Sequence, residues 1–361
     1  MHPLSTQRLA PVPSANASAN HQRALLPPSP LLRPRTNTRS SASARSAPRA
    51  VSPATPTTAA TNDPDAGAQP DKWAEFAARV SGEWDGFGAD FTVAGEPVEL
   101  PANVVPDAYR EWGVQVFDWQ TQCPTLADPA APGALHYRLV RLLPTVGCEA
   151  DAATVHTSHQ RHVSSATAFA YGGGAYVATW PKGPAAVLEV EHCICHPDNA
   201  EVRVRLVQTV ALAKDEARLR GVKVFSEQWY GPYRNGDQLG GCALRESAFA
   251  AGERLAASEV VGQWESAARF SGALDPVTGK FAGLEPDREP RRTARDGAGV
   301  VTLLPKQLWS SLKVSGDGDV VCEVGWLLGH GSAVTSTCVL SRDGDVKEIA
   351  AAQETRVSEA T

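Results

Sequence analysis

Two histidine-rich stretches carry the residue types best suited to chemistry. They are His156-x-x-His159-x-x-His162 and His192-Cys193-Ile194-Cys195-His196, which together hold five of the nine histidines. Imidazole and thiolate are the natural ligands of zinc and copper. On a strand, His192 and His196 point to one face and Cys193 and Cys195 to the other. His156, His159, His192 and His196 are therefore the candidate metal set, and a histidine-ligated haem or other tetrapyrrole is a related reading. The spacing matches no standard zinc motif, so solvated or packed histidines are the alternative. Cys123, His136 and Glu227 are titratable groups that an enzyme of this chain would need to face a cavity. No Gly-x-Ser-x-Gly elbow is present, and Gly172-Gly173-Gly174 lacks the Lys-Ser/Thr and helix start of a phosphate loop. No catalytic residue is assigned.

Aromatic residues form the second group. Nine Trp are many for 361 residues. A barrel lined with aromatics and a few Arg suits a flat, amphipathic, anionic ligand. Trp119, Tyr137, Arg205, Trp229 and Trp326 are the candidate lining residues. The alternative is that Trp fills a β core.

The elements that must position these groups read as mostly strands. Asp71 can cap a short helix running to Val80, with Trp73, Phe76, Ala77 and Val80 on one face. Gly82 stops it, and Gly82-Glu83-Trp84 opens a strand on which Phe87 and Phe91 share a face. Gly262-Gln263-Trp264 repeats that opening 180 residues later. Period-two alternation marks 112–119, 135–143, 185–195, 201–210 and 222–229. Four further runs, 308–314, 320–328, 333–340 and 346–357, are separated by Gly-rich turns that include two Asp-Gly pairs, a strong hairpin signal. The stretch between Gly272 and Gly299 reads as a long loop. The expected fold is all-β: an antiparallel barrel, in two barrel halves, with a short N-terminal helix. The expected organisation is a leader over 1–62, a linker over 63–70, a first barrel over 71–255, and a smaller second half over 256–361 with a four-strand meander.

Three motifs carry a resemblance. Leu303-Leu304-Pro305-Lys306, Gly325-Trp326-Leu327-Leu328 and Glu354-Thr355-Arg356-Val357 resemble the C-terminal part of a lipocalin-like (calycin) family of unknown function found in cyanobacteria and plastids. Gly82-Glu83-Trp84-x-Gly86 is similar to that family's N-terminal part. The resemblance implies a calycin barrel and no established catalytic residues. Related calycins bind lipids, pigments or tetrapyrroles, and some act as bilin lyases. The implied function is a plastid protein binding a hydrophobic or amphipathic small molecule. The alternatives are a chromophore lyase-like enzyme and an assembly factor with no pocket. The resemblance also implies an arginine over each Gly-x-Trp tryptophan, pairing Trp84 with Arg245 and Trp264 with Arg356 as structural plugs, at roughly 0.5–2 kcal/mol each.

Composition sets the outer bounds. Residues 1–62 hold seven Arg and no Lys, Asp or Glu, and are rich in Ser, Thr, Ala and Pro. That is the composition of an organelle transit peptide, read here as plastid. The remainder carries 27 basic residues (34 less seven) against 40 acidic ones. Such a body is poorly suited to a phosphate backbone, so no nucleic-acid partner is expected. No apolar run reaches the roughly 18–20 residues of a membrane span. The seven cysteines are irregularly spaced and read as free thiols rather than a disulfide framework.

Overall fold

Asp71 accepts a hydrogen bond from the backbone N–H of Trp73 at 3.0 Å, capping helix α1 (Lys72–Val80). The computed structural model describes residues 71–146, 154–183, 186–213, 216–237, 248–273, 283–297, 299–329 and 331–357. The expected leader and linker, and Arg245, lie outside the described residues. No described helix is long and apolar enough to cross a membrane.

After α1 the chain runs through β1 (Glu83–Phe91), α2 (Asp107–Glu111), β2 (Trp119–Gln122), β3 (Thr125–Ala127), β4 (Leu135–Leu142) and β5 (Val155–His162). It continues with β6 (Ala168–Gly172), β7 (Ala175–Pro181), β8 (Val187–Cys195), β9 (Val202–Ala213) and β10 (Glu216–Gly231). Then follow α3 (Ala257–Val260), β11 (Gly262–Ala273), β12 (Glu285–Pro286), β13 (Arg292–Arg295) and β14 (Val300–Leu304). The last strands are β15 (Leu308–Val314), β16 (Val320–Gly329), β17 (Ser332–Leu340) and β18 (Val346–Arg356).

The strands form two antiparallel sheets, as the all-β reading expects. The first has the order β3-β4-β2-β1-β10-β9-β8-β7-β6, with β5 on the free edge of β4. The second runs β12-β11-β18-β17-β16-β15-β14, with β13 also on β11. Both sheets share one wiring: the first strand pairs with the last, the strands preceding the last follow in reverse order on that side, and the strands that come directly after the first (β2–β5, β12–β13) lie on its other side. Both also begin alike. Trp84 Nε1 donates to Val80 O at 3.0 Å, and Trp264 Nε1 donates to Val260 O at 2.9 Å. Each tryptophan thus caps the helix before its strand. The glycine between, Gly82 at φ +148° or Gly262 at φ +139°, adopts backbone that L side chains rarely take.

Alternation gives each strand of the first sheet two faces. Val190, Ile194, Val204, Leu206 and Val224 point outward and pack against Leu308, Val324, Cys338 and Ile349 of the second sheet. The other face curls into a half-barrel around α1, whose Trp73 and Phe76 pack with Trp84, Tyr137, Tyr176 and Trp180. Each such side chain, once fully buried, is worth about 1.5–3 kcal/mol. The curl is closed by side chains: Arg161 of β5 ion-pairs with Glu189 and Glu191 of β8 and lies 4.9 Å from the Trp180 ring centre on β7.

Two expectations are corrected. Residues 112–118 are not strand: Trp112 ends α2, is 63 % exposed, and is followed by Gly113 at φ +67°. The chain joins the sheet only at Trp119. The segment before it folds over its own cluster of Leu100, Val105 and Trp119, and Tyr109 OH ties it to Thr145 O at 2.8 Å. The stretch 272–299 is likewise not a plain loop. Its described part supplies β12 and β13, both paired to β11.

Candidate functional site

The inner face of the first sheet is built in layers. At the α1 end, the Arg203 guanidinium lies 4.2 Å from the Trp84 ring centre. Its Nε donates to Glu227 Oε2 at 2.7 Å, and its other nitrogens donate to Val80 O and Thr125 Oγ1. Arg205, two residues on along β9, holds Glu227 with both Nε (3.0 Å) and Nη2 (2.8 Å). Its Nη1 reaches Glu191 Oε1 at 3.2 Å. Glu191 also accepts from Tyr137 OH (2.6 Å), Tyr176 OH (2.9 Å) and Trp180 Nε1 (3.0 Å). Two carboxylates and two guanidinium groups thus neutralise one another in a dry interior. Burial alone would raise Glu227, but Arg203 and Arg205 outweigh it and hold its carboxyl below the usual range. Cys123, beneath this layer, is pushed up to about 11 by burial and is a thiol at neutral pH.

Towards the other end the layer changes character. Glu189 is paired with Arg161, with Lys182 Nζ at 2.8 Å and with Lys223 Nζ at 3.4 Å. Burial works against its charge, but these cations hold it down at about 2. The side chains of Lys182, Lys223 and Arg161 are 45, 33 and 30 % exposed, so solvent reaches this end of the half-barrel.

Beside them, register sets Thr121 of β2, Arg141 of β4 and Thr157 of β5 side by side across three strands. Thr121 Oγ1, Arg141 Nε and Thr157 Oγ1 are all buried with no hydrogen-bond partner, and so is Asp90 Oδ1 on β1. A buried polar atom without a partner costs about 1–3 kcal/mol. Three in one cross-strand row are an unusual concentration. The row is flanked by Trp119, with the Arg141 guanidinium 5.7 Å from its ring centre and the His156 ring stacked on it at 4.8 Å. At this end Arg141, Arg161, Lys182 and Lys223 stand with Glu189 and Asp90, while Glu191, which Arg161 also reaches at 3.3 Å, is balanced together with Glu227 by Arg203 and Arg205. The open end therefore carries an excess of two positive charges in a chain of net charge −6. Such a site favours an anion with an aromatic face.

Of the expected lining residues, Trp119 is at this open end. Tyr137 and Arg205 are in the buried layer, with their polar groups engaged by Glu191 and Glu227. Trp229 is at the closed end, where a Cβ on Gly82 would lie 2.2 Å from its Nε1. Trp326 belongs to the second sheet and meets His196 edge-on at 5.1 Å.

The expected metal set is dispersed. His156 stacks on Trp119, and His159 is exposed on β5. His192 is on the outer face, buried against Ser336 Oγ at 3.0 Å and pushed down to about 3 by burial. His196 lies beyond the end of β8. Among the described residues no group of three or more His, Cys, Asp or Glu is placed to hold a metal ion. His136 is on the outer face beside Tyr233 OH at 3.2 Å.

Among the described residues each plug tryptophan has an arginine against its ring. Arg203 of β9 covers Trp84, and Arg295 of β13 lies 5.4 Å from both the Trp264 and Trp309 ring centres. Arg356 is in register opposite Trp264, but its guanidinium donates to Ser258 O and Val261 O at 2.8 Å each, capping α3. Arg295 in turn donates to Glu354 of the last strand at 2.7 Å, as Arg203 does to Glu227 of the first sheet's last strand. Tryptophan, arginine and a last-strand glutamate recur in both sheets.

Sequence reasoning missed Thr121, Arg141, Thr157, Arg161 and Glu189. One signal was present: Arg141 interrupts the otherwise apolar face of Leu135, Tyr137, Leu139 and Leu143. No family model matches the chain, and no curated protein sequence matches it. Among solved structures the chain is similar to a Nostoc punctiforme protein of unknown function from the DUF3598 family. Identity is 15 %, coverage 80 % of this chain and 100 % of that one, and the TM-score 0.46. It is also similar to a conserved Alicyclobacillus acidocaldarius protein of unknown function with a hot dog fold. There identity is 11 %, coverage 55 % and 98 %, and the TM-score 0.13.

Proposed function

We propose that this protein binds a flat, amphipathic, anionic small molecule in the open end of the first half-barrel. The observation that carries the reading is the row of partnerless buried atoms on Thr121, Arg141 and Thr157 beside Trp119. A carboxylate or sulfonate oxygen there would accept from all three groups while its ring system takes the place of the exposed His156 ring that stacks on the otherwise buried Trp119. Lipids, pigments and tetrapyrroles with acidic side chains share this chemistry. The lyase reading gains no support, because Cys123 is a buried thiol and Glu227 is held between two arginines. The acid-free leader supports delivery to a plastid, which a fluorescent protein fused behind residues 1–70 would report by its location in leaf cells.

The test uses 8-anilinonaphthalene-1-sulfonate and its uncharged counterpart N-phenyl-1-naphthylamine, titrated by fluorescence. Arg141→Leu removes a hydrogen bond to a charged group, about 1.5–3 kcal/mol, so sulfonate affinity falls about 10–100-fold. Affinity for the uncharged probe stays within about twofold, because the ring contact persists. Equal affinity for both probes in the native protein, or an Arg141→Leu variant with unchanged sulfonate binding, would overturn the reading.

A further inference from the structure

A second opening lies at the opposite end of the first sheet, independent of the site above. Lys72, Glu75, Phe76 and Arg79 recur at helical spacing on one face of α1. They face the Gly172–Gly174 turn between β6 and β7, together with Tyr171, and Phe270, Leu284 and Pro286 from the second sheet. The groove encloses about 250 Å³. Its walls are aromatic and aliphatic, with Phe76 and Tyr171 rings 4.8 Å apart.

The charges in it are unequal. Lys72 is committed to Glu285 at 2.5 Å. Arg79 donates through Nη2 to His196 O at 2.9 Å and Pro197 O at 3.4 Å, but its Nε is buried with no partner. Gly174, at φ +78°, passes beside the guanidinium: a Cβ there would be in ordinary contact with it, 3.5 Å from its carbon and 3.6 Å from Nε. One uncommitted N–H at the end of an apolar groove selects a group with one charge. Glu75 on the rim disfavours a dianion such as a phosphate monoester.

We infer that this groove is a second binding site, taking a monocarboxylic acid with an apolar chain. The carboxylate accepts from Arg79 Nε, and the chain lies between Phe76 and Phe270. The volume corresponds to about eight water molecules. A methylene occupies a similar space, which makes octanoate the probe.

The full-length protein is titrated calorimetrically with octanoate and with octan-1-ol. The native protein is expected to bind octanoate at least tenfold tighter than octan-1-ol. Arg79→Met brings the two affinities together, and Phe270→Ala weakens both. Equal binding of acid and alcohol by the native protein, or no binding of either, would overturn the inference without needing any variant to fold. Survival of the acid preference in Arg79→Met would overturn it too. Loss of the acid preference in Arg79→Met with 8-anilinonaphthalene-1-sulfonate affinity retained assigns the effect to this groove, whereas an octanoate affinity that falls in Arg141→Leu but not in Arg79→Met assigns octanoate to the open end and overturns the inference.

Discussion

Glu227→Gln probes the interior most sharply. Glu227 is fully buried and accepts three charge-assisted hydrogen bonds, from Arg203 at 2.7 Å and from Arg205 at 3.0 and 2.8 Å. The amide keeps the shape, but only Glu191 then balances two buried guanidinium groups, and the Gln NH₂ faces their donors. Breaking a buried pair from one side costs about 3–5 kcal/mol. In a domain of this size, 1 kcal/mol shifts Tm by about 2–4 °C, so Tm should fall by roughly 6–20 °C. Differential scanning calorimetry at pH 7 reads this directly. Adding Arg205→Met removes the excess charge, so the double variant should unfold later than the sum of the two single losses predicts. A Glu227→Gln Tm within about 2 °C of the parent, or strict additivity in the double variant, would refute the description of this layer as a charge-balanced unit.

Other consequences can be measured alongside. Asp85 is raised to about 7, first by burial and then by Glu83 and Glu227. A raised folded pKa means stability present below the unfolded value, about 4, and lost as pH rises to about 7, so Asp85→Asn should gain on the order of 4 kcal/mol at pH 8 and little at pH 3.5 in urea titrations. His192 is a base depressed to about 3, so its contribution is complete above about pH 6.5 and drains away towards pH 3. Replacing it with Gln should flatten the acid limb of the stability curve, and an unchanged limb would count against its neutral burial. Gly325→Ala places a Cβ 2.0 Å from the Trp309 ring and should cost about 1–3 kcal/mol by overpacking, read as a lower urea midpoint.

Local signals were legible wherever chemistry and spacing agreed. Asp71 with Trp73, Phe76 and Val80 announces α1, and the Gly-rich turns announce the meander of β15 to β18, whose four strands fall where alternation puts them. The two Gly-x-Trp openings are legible as equivalents and are built alike. Residues 112–118 misled because the alternating Trp112, Val114 and Val116 outweighed Gly113 in the reading. Arg295 was hidden in a charged stretch that looks like a loop. The open-end site was the least visible. Thr121, Arg141 and Thr157 are ordinary residues in separate strands, and only the pairing of β2, β4 and β5 brings them into one row. Arg203 stands 119 positions from Trp84, so nothing local could nominate it as that ring's cation.

The claim that an anionic aromatic ligand enters the first half-barrel is open to one direct observation. The indole N–H signals of the nine tryptophans can be followed by NMR as 8-anilinonaphthalene-1-sulfonate is added. Trp119 and Trp180 should shift first and furthest, with Trp264 and Trp309 of the second sheet unmoved. Shifts confined to the second sheet, or a still Trp119 at saturation, would contradict it.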